Sequence, residues 1–269
     1  MPAVRKYVRF GYVKSNAVLR TLAAIAALLA YPTVAGAQLK VMISGGFSTA
    51  YRQALPEFEK TGIKVTTLSG ASQGKGPETI AAQLARGVPV DVVIMSREGL
   101  GELMKQGRIA AGTDADLATA AIGVAVREGA KKPDVGTIEG FKRALVGAKL
   151  VAVPASTSGI FLTQEVFPKL GLADKIKVRV MARGSQSADL VVKGEADLVV
   201  QPVSELIHVQ GLSYAGEIPM EVQLIQMFAA AVVAGSTEAD AGKKLIAFLS
   251  SDRTASAIRQ NGMEPAKRK

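Results

Sequence analysis

Hydroxyl-bearing residues and glycines recur in this sequence wherever a run of strand-forming residues gives way to a helical pattern. The turns are Ser44-Gly45-Gly46-Phe47-Ser48-Thr49, Ser69-Gly70-Ala71-Ser72, Ser96-Arg97-Glu98 and Ala155-Ser156-Thr157-Ser158-Gly159. Free backbone N–H groups at a helix start, joined by small hydroxyl side chains, make a neutral cage for an anion. Helix capping explains any one such turn. Four of them in one chain point to a captured anionic ligand. Other reactive groups are few. There is no cysteine and one histidine, His208, which removes disulfides, thiolate chemistry and His-rich metal sites. No nucleophile elbow, phosphate-binding loop or metal-ligand spacing occurs, and no cofactor motif is recognisable.

The elements that must position these turns begin after a leader. Residues 1–20 carry Arg5, Lys6, Arg9, Lys14 and Arg20 and no acid; an apolar run over 22–31 and the small-x-small triplet Ala35-Gly36-Ala37 follow. That is the pattern of a cleaved secretory signal over 1–37, with the mature chain starting near Gln38 in the periplasm. Its apolar run is short for a membrane anchor. Five of the 33 basic residues lie in the leader, leaving 28 against 23 acids. This modest excess suits small anions. Scattered basic residues and 5% aromatics are not a nucleic-acid footprint.

In the mature chain, strands are expected at 38–43, 64–68 and 90–95, alternating with helices at 51–60, 77–86 and 100–106. The pattern β-α-β-α-β-α reads as a doubly wound parallel sheet, whose ligands sit at the carboxyl ends of the strands, where Ser44, Ser69 and Ser96 fall. A second unit follows, with strands at 121–126, 150–153, 178–181 and 196–201 and helices at 137–145, 160–170 and 187–193. A helical turn is expected at 204–208. The chain then returns through an apolar run at 227–233 and helices at 237–249 and 254–261. The fold class is therefore α/β with two lobes and a ligand cleft between them: residues 38–120 plus 231–269 in the first lobe, 121–230 in the second.

The four turns, the segment Ala85-Arg86-Gly87-Val88-Pro89-Val90-Asp91-Val92-Val93-Ile94 and the late Ala247-Phe248-Leu249-Ser250-Ser251 resemble the molybdate-type branch of the periplasmic solute-binding proteins of ABC transporters. The resemblance covers essentially the whole mature chain. It is closer to a proteobacterial subgroup near periplasmic aconitate isomerase, an enzyme on the same scaffold. It implies a type II binding-protein fold and a ligand held by serine hydroxyls and backbone N–H groups at helix starts. By position it assigns Gly46, Phe47 and Ser48 to the first binding loop, Ala71 and Ser72 to the second, and Thr157 and Ser158 to the loop of the second lobe. Where many molybdate binders carry a tyrosine, this chain has Gln201. Where an acidic residue without arginine is usual, it has Arg97.

An arginine in such a cleft suits a carboxylate, which guanidinium grips through two bonds, better than a tetrahedral dianion held by neutral donors. The expected function is accordingly capture of a small anion, an organic di- or tricarboxylate, by a monomer that hands it to an ABC permease. The rival is a cofactor-independent isomerase of an unsaturated tricarboxylate, with Arg97 stabilising charge and Glu205, or less well His208, moving the proton. Molybdate or tungstate binding is a further alternative. Ser72, Thr157 and Ser158 read equally as N-caps, Gln201 as a turn former, and Asp91 as a structural cap far from the cleft.

Overall fold

A computed structural model of the chain describes residues 1–3 and 38–267. The expected leader falls almost wholly outside the described residues. The first lobe opens with β1 (Gln38–Ile43), α1 (Gly45–Glu59), β2 (Lys64–Ser69), α2 (Ile80–Ala85), β3 (Val92–Ser96) and α3 (Arg97–Lys105), followed by β4 (Ala115–Ala120). Strands β1, β2 and β3 run parallel, β1 between the other two. Every residue of β3 is buried, because alternate side chains enter separate cores on the two faces of the sheet. Val92 and Ile94 face one core with Leu39, Val41 and Ile43; Val93 and Met95 face the other with Met42.

After the single residue Ala121 the chain enters the second lobe: β5 (Ile122–Arg127), α4 (Ile138–Gly147), β6 (Val151–Pro154), α5 (Thr157–Phe161), β7 (Val178–Met181), α6 (Gly184–Val192), β8 (Leu198–Pro202) and β9 (Leu212–Glu217). Helix α5 runs on through a π-helical turn at Leu162–Val166. The return passes through β10 (Gln226–Val232) to α7 (Ala239–Leu249), α8 (Ala255–Gln260) and the short β11 (Glu264–Pro265). The first sheet has the order β11-β4-β10-β3-β1-β2 and the second β7-β6-β8-β5-β9. Each is mixed, not parallel throughout. The strand arriving from the other lobe, β10 or β5, lies antiparallel beside the third parallel strand.

The chain therefore crosses between lobes twice, at Ala121 and between β9 and β10. Gln223 laces the crossings together: its Oε1 accepts from Ile122 N (2.7 Å), and its Nε2 donates to Ile122 O (3.0 Å) and Ile218 O (3.1 Å). Because Gln226 already pairs with Ala120, the first lobe resumes there, ahead of residue 231.

Four helices, α1, α3, α5 and α6, start earlier than their sequence pattern announces. Helix α1 begins at Gly45, not at residue 51, because Phe47, Ala50, Tyr51, Ala54 and Phe58 form one stripe on the first core. That packing overrides the poor helix propensity of paired glycines. Helices α3 and α5 likewise start inside their Ser/Thr turns, after Ser96 and Ser156. Strands β4 and β9 carry no clear alternation. Pairing with β10 and β5 makes them strands.

Candidate functional site

The carboxyl ends of β1 and β2 in one lobe and of β6, β7 and β8 in the other surround a cavity of about 380 Å³. Two helices start at its wall, α1 at Gly45 and α6 at Gly184, so unpaired N–H groups and the positive ends of two helix dipoles face it from opposite lobes. Ser44 and Ser204 also line it. They are 4% and 6% exposed, and neither hydroxyl has a hydrogen-bond partner among the described residues. Buried hydroxyls are normally paired, so these two are donors in reserve. The loop Ser69–Ser72 completes the wall of the first lobe.

Two cationic side chains border the cavity. Arg183 precedes α6 in the second lobe, and its Nη2 reaches across to Ser69 O at 3.5 Å. Its own N–H donates to Gln186 Oε1 at 3.2 Å, which holds the turn. Arg52 on α1 is exposed and donates to Thr49 Oγ1. Tyr51 donates to or accepts from Thr67 Oγ1 at 2.9 Å, and burial pushes its hydroxyl up to about 12, so it stays neutral.

Glu205 ends the 3-10 turn Val203–Glu205 that follows β8. The residue keeps some exposure, yet its carboxyl is wedged between the lobes. A Cβ on Gly45 would overlap Oε1 and lie 3.0 Å from Cδ; a Cβ on Gly184 would overlap Oε2 and lie 2.8 Å from Cδ. No hydrogen bond or ion pair among the described residues reaches this carboxylate, and burial pushes it up to about 7. Removal from water disfavours the charged form, which leaves a group able to take and return a proton near neutrality.

The residues named from the sequence are placed differently. Ser48, Ala71, Ser72, Glu205 and His208 line the cavity. Ser72 doubles as a structural acceptor for Ser96 N at 2.9 Å, and His208 Nε2 lies 2.8 Å from Gln260 O. Gln201 sits behind the wall, fully buried, donating from Nε2 to Glu205 O at 3.0 Å. Thr157 bridges the lobes: its hydroxyl lies 2.8 Å from both Gln73 Oε1 and Ser96 Oγ. Ser158 is buried with no partner for its hydroxyl among the described residues, outside the cavity lining.

Gly46, Phe47 and Arg97 are also outside the lining. Because α1 starts early, Gly46 packs on the ring of Phe228 and the side chain of Phe47 fills the core. The guanidinium of Arg97 is taken by acids of its own lobe: Nη1 donates to Asp114 Oδ2 and Nε to Asp116 Oδ1, each at 2.7 Å. It is not positioned to clamp a carboxylate in the cleft. Asp91 has the structural place expected of it, accepting from Lys40 N (2.8 Å) and Ser236 Oγ (2.7 Å).

Replacing Arg97 with alanine leaves Asp114 and Asp116 without their shared partner. We expect it to lower stability by about 1–2 kcal/mol at pH 7. Urea denaturation measures this, and equal midpoints for variant and parent would show that the pairs carry no stability.

The cationic residue that does reach the cavity, Arg183, is one sequence reasoning passed over. Its signal was present: Ala182-Arg183-Gly184-Ser185 after β7 is a fifth strand–turn–helix junction, obscured because the helical pattern of the sequence starts only at Ser187.

A two-lobed α/β protein, with an anion-suited cavity between lobes of matching topology, is what the fold and cavity define. Residues 39–264 match the model of the bacterial extracellular solute-binding proteins, and the chain belongs to that family. It is 36% identical over 253 residues to an aconitate isomerase from a Pseudomonas species, covering 92% of this chain and 97% of that one. The periplasmic molybdate-binding protein of Azotobacter vinelandii shares the fold at 22% identity with a TM-score of 0.70, over 85% of this chain and all of that one. The sulfate-binding protein SubI of Mycobacterium tuberculosis does so at 18% identity and a TM-score of 0.68, over 86% and 88% of the two chains.

Proposed function

We propose that this protein is a cofactor-independent isomerase of an unsaturated tricarboxylate of the aconitate class, acting in the periplasm. The observation that carries this reading is the Glu205 carboxyl, desolvated between two helix starts inside an anion-suited cavity. A site that only captures an anion gains nothing from a second carboxylate at its centre, since like charges there oppose binding. Proton transfer needs such a group. The cavity, about 380 Å³, lies at the small end of organic-ligand pockets.

In the reaction, Glu205 takes a proton from the methylene carbon of the bound trianion, breaking that C–H bond. The electron pair spreads over the allylic system and its carboxylates. Glu205 then returns the same proton to the former vinylic carbon, forming the new C–H bond with the double bond shifted by one position. Nothing is oxidised or reduced. Arg183, the N–H groups at the starts of α1 and α6, and the hydroxyls of Ser44 and Ser204 hold the carboxylates on which charge develops. Closure excludes the water that would otherwise protonate the intermediate at random. The test is incubation of the purified protein with cis- and with trans-aconitate, followed by chromatography. Interconversion supports the reading; tight binding of both isomers without turnover overturns it.

Family membership favours a second reading, in which the protein delivers a di- or tricarboxylate to an ABC permease. Helix starts and reserve hydroxyls serve capture as well as catalysis. Binding without turnover, together with impaired uptake of the ligand by cells lacking the protein, would establish it. A guanidinium and a carboxyl in the cavity argue against molybdate under either reading.

Both readings need the lobes to meet. Substituting Thr157 by valine removes the hydroxyl that touches Gln73 and Ser96 while keeping its shape. The loss, about 1–2 kcal/mol of closure energy, should weaken binding of propane-1,2,3-tricarboxylate about tenfold in calorimetry. An unchanged affinity would show that the bridge does not hold the lobes together.

A further inference from the structure

On the reading that Glu205 transfers the proton, we propose that Gly45 of the opposite lobe is a positioning residue for its carboxyl. Lobe closure seats the Gly45 backbone against Oε1 and strips that oxygen of water, so the proton-transfer group is assembled only around bound substrate. Three members of the arrangement travel together in the second lobe. Gln201 Nε2 donates to Glu205 O, and a Cβ on Gly184 would overlap Oε2 and stand 3.3 Å from Gln201 Oε1. Gly45 alone belongs to the first lobe, at the start of the 15-residue helix α1. Opening the cleft therefore leaves Gln201 and Gly184 in place and uncovers Oε1.

The surrounding ionisable groups are occupied elsewhere. Tyr51 and Arg52 on α1 bond to Thr67 and Thr49, the guanidinium of Arg183 to Ser69 O, and His208 to Gln260. Desolvation, not a charged neighbour, is what raises the Glu205 carboxyl. Such desolvation is reversible by a hinge motion. The base is then an ordinary, hydrated carboxylate in the open protein and a stronger, water-free one in the closed complex. The glycine itself argues for this. Gly45 is exposed, helical and not among the glycines with positive φ, a setting in which alanine is the better helix former. What a methyl group there cannot do is share space with the carboxyl.

The test is Gly45→Ala, assayed with cis-aconitate across pH 4.5 to 9, with propane-1,2,3-tricarboxylate, which has no allylic proton, as the binding probe. The expected result is a fall in kcat of at least a hundredfold and a lower-pH midpoint for kcat, with probe affinity falling no more than about tenfold because the methyl group also opposes closure. In the parent itself, kcat should show a higher midpoint than kcat/KM, since the first reports the closed complex and the second the free protein. An unchanged kcat and midpoint in Gly45→Ala, or coincident midpoints in the parent, would overturn the role of Gly45. Turnover retained by Glu205→Gln would overturn instead the proton-transfer reading on which it rests. Because alanine favours the helix, a loss of folding does not confound the variant; its thermal midpoint checks this.

Discussion

Glu205→Gln should abolish isomerisation while making the closed, ligand-bound protein more stable at pH 8. General acid–base groups contribute about 10²–10⁴-fold, and a single carboxyl that both takes and returns the proton should stand at the upper end of that range. The gain in stability follows from the same burial. The closed protein holds the Glu205 proton up to about pH 7, against a reference value of 4.5. Between those values the native state binds more protons than the unfolded one, so stability falls as pH rises through this window and levels off above it. The ionised group then costs up to about 3 kcal/mol at pH 8, an upper bound because the two helix starts favour the charged form. Glutamine removes that cost. Thermal unfolding with saturating propane-1,2,3-tricarboxylate, which holds the lobes closed, should show the variant several degrees above the parent at pH 8 and close to it near pH 4. A variant that keeps turnover, or one no more stable than the parent at pH 8, would mean that the carboxyl is neither the base nor desolvated.

Arg183→Ala should weaken binding of propane-1,2,3-tricarboxylate by about 10–100-fold, while Arg97→Ala changes it less than threefold. A charge-assisted, two-bond grip on a carboxylate is worth about 1.5–3 kcal/mol, and each 1.4 kcal/mol is a factor of ten. Lysine at 183 should recover only part of the loss, because an ammonium offers a point charge and not a planar fork. Raising the salt concentration should narrow the gap between parent and Arg183→Ala. Calorimetry on the three variants at low and high salt measures all of this. Equal losses at 97 and 183 would return Arg97 to the site and undo the assignment of the cationic role.

These two arginines mark the limit of what could be read without the fold. Each follows a strand end, and each opens a helix; by local sequence they are equivalent. Asp114 and Asp116 decide between them. They lie at the start of β4, 17 and 19 residues from Arg97, in a segment with no strand pattern of its own that becomes a strand by pairing with β10. No acid stands in that relation to Arg183, which reaches across the cleft to Ser69.

Glu205 was legible as a candidate proton-transfer group from its place after a late strand. Its enclosure was not, since Gly45 and Gly184 come from helices in two different lobes. The layered α/β architecture, the two lobes and the turns at Ser44, Ser69 and Ser156 were legible, because burial on both faces and strand–turn–helix junctions leave local, periodic signals such as those of Val92–Ser96 and Ser44. Register, the antiparallel insertion of β10 and β5, and the choice of charged partners rest on contacts between residues distant in the chain. Such contacts add no periodicity to the sequence, so the tertiary structure alone decided which cation and which carboxyl line the cavity.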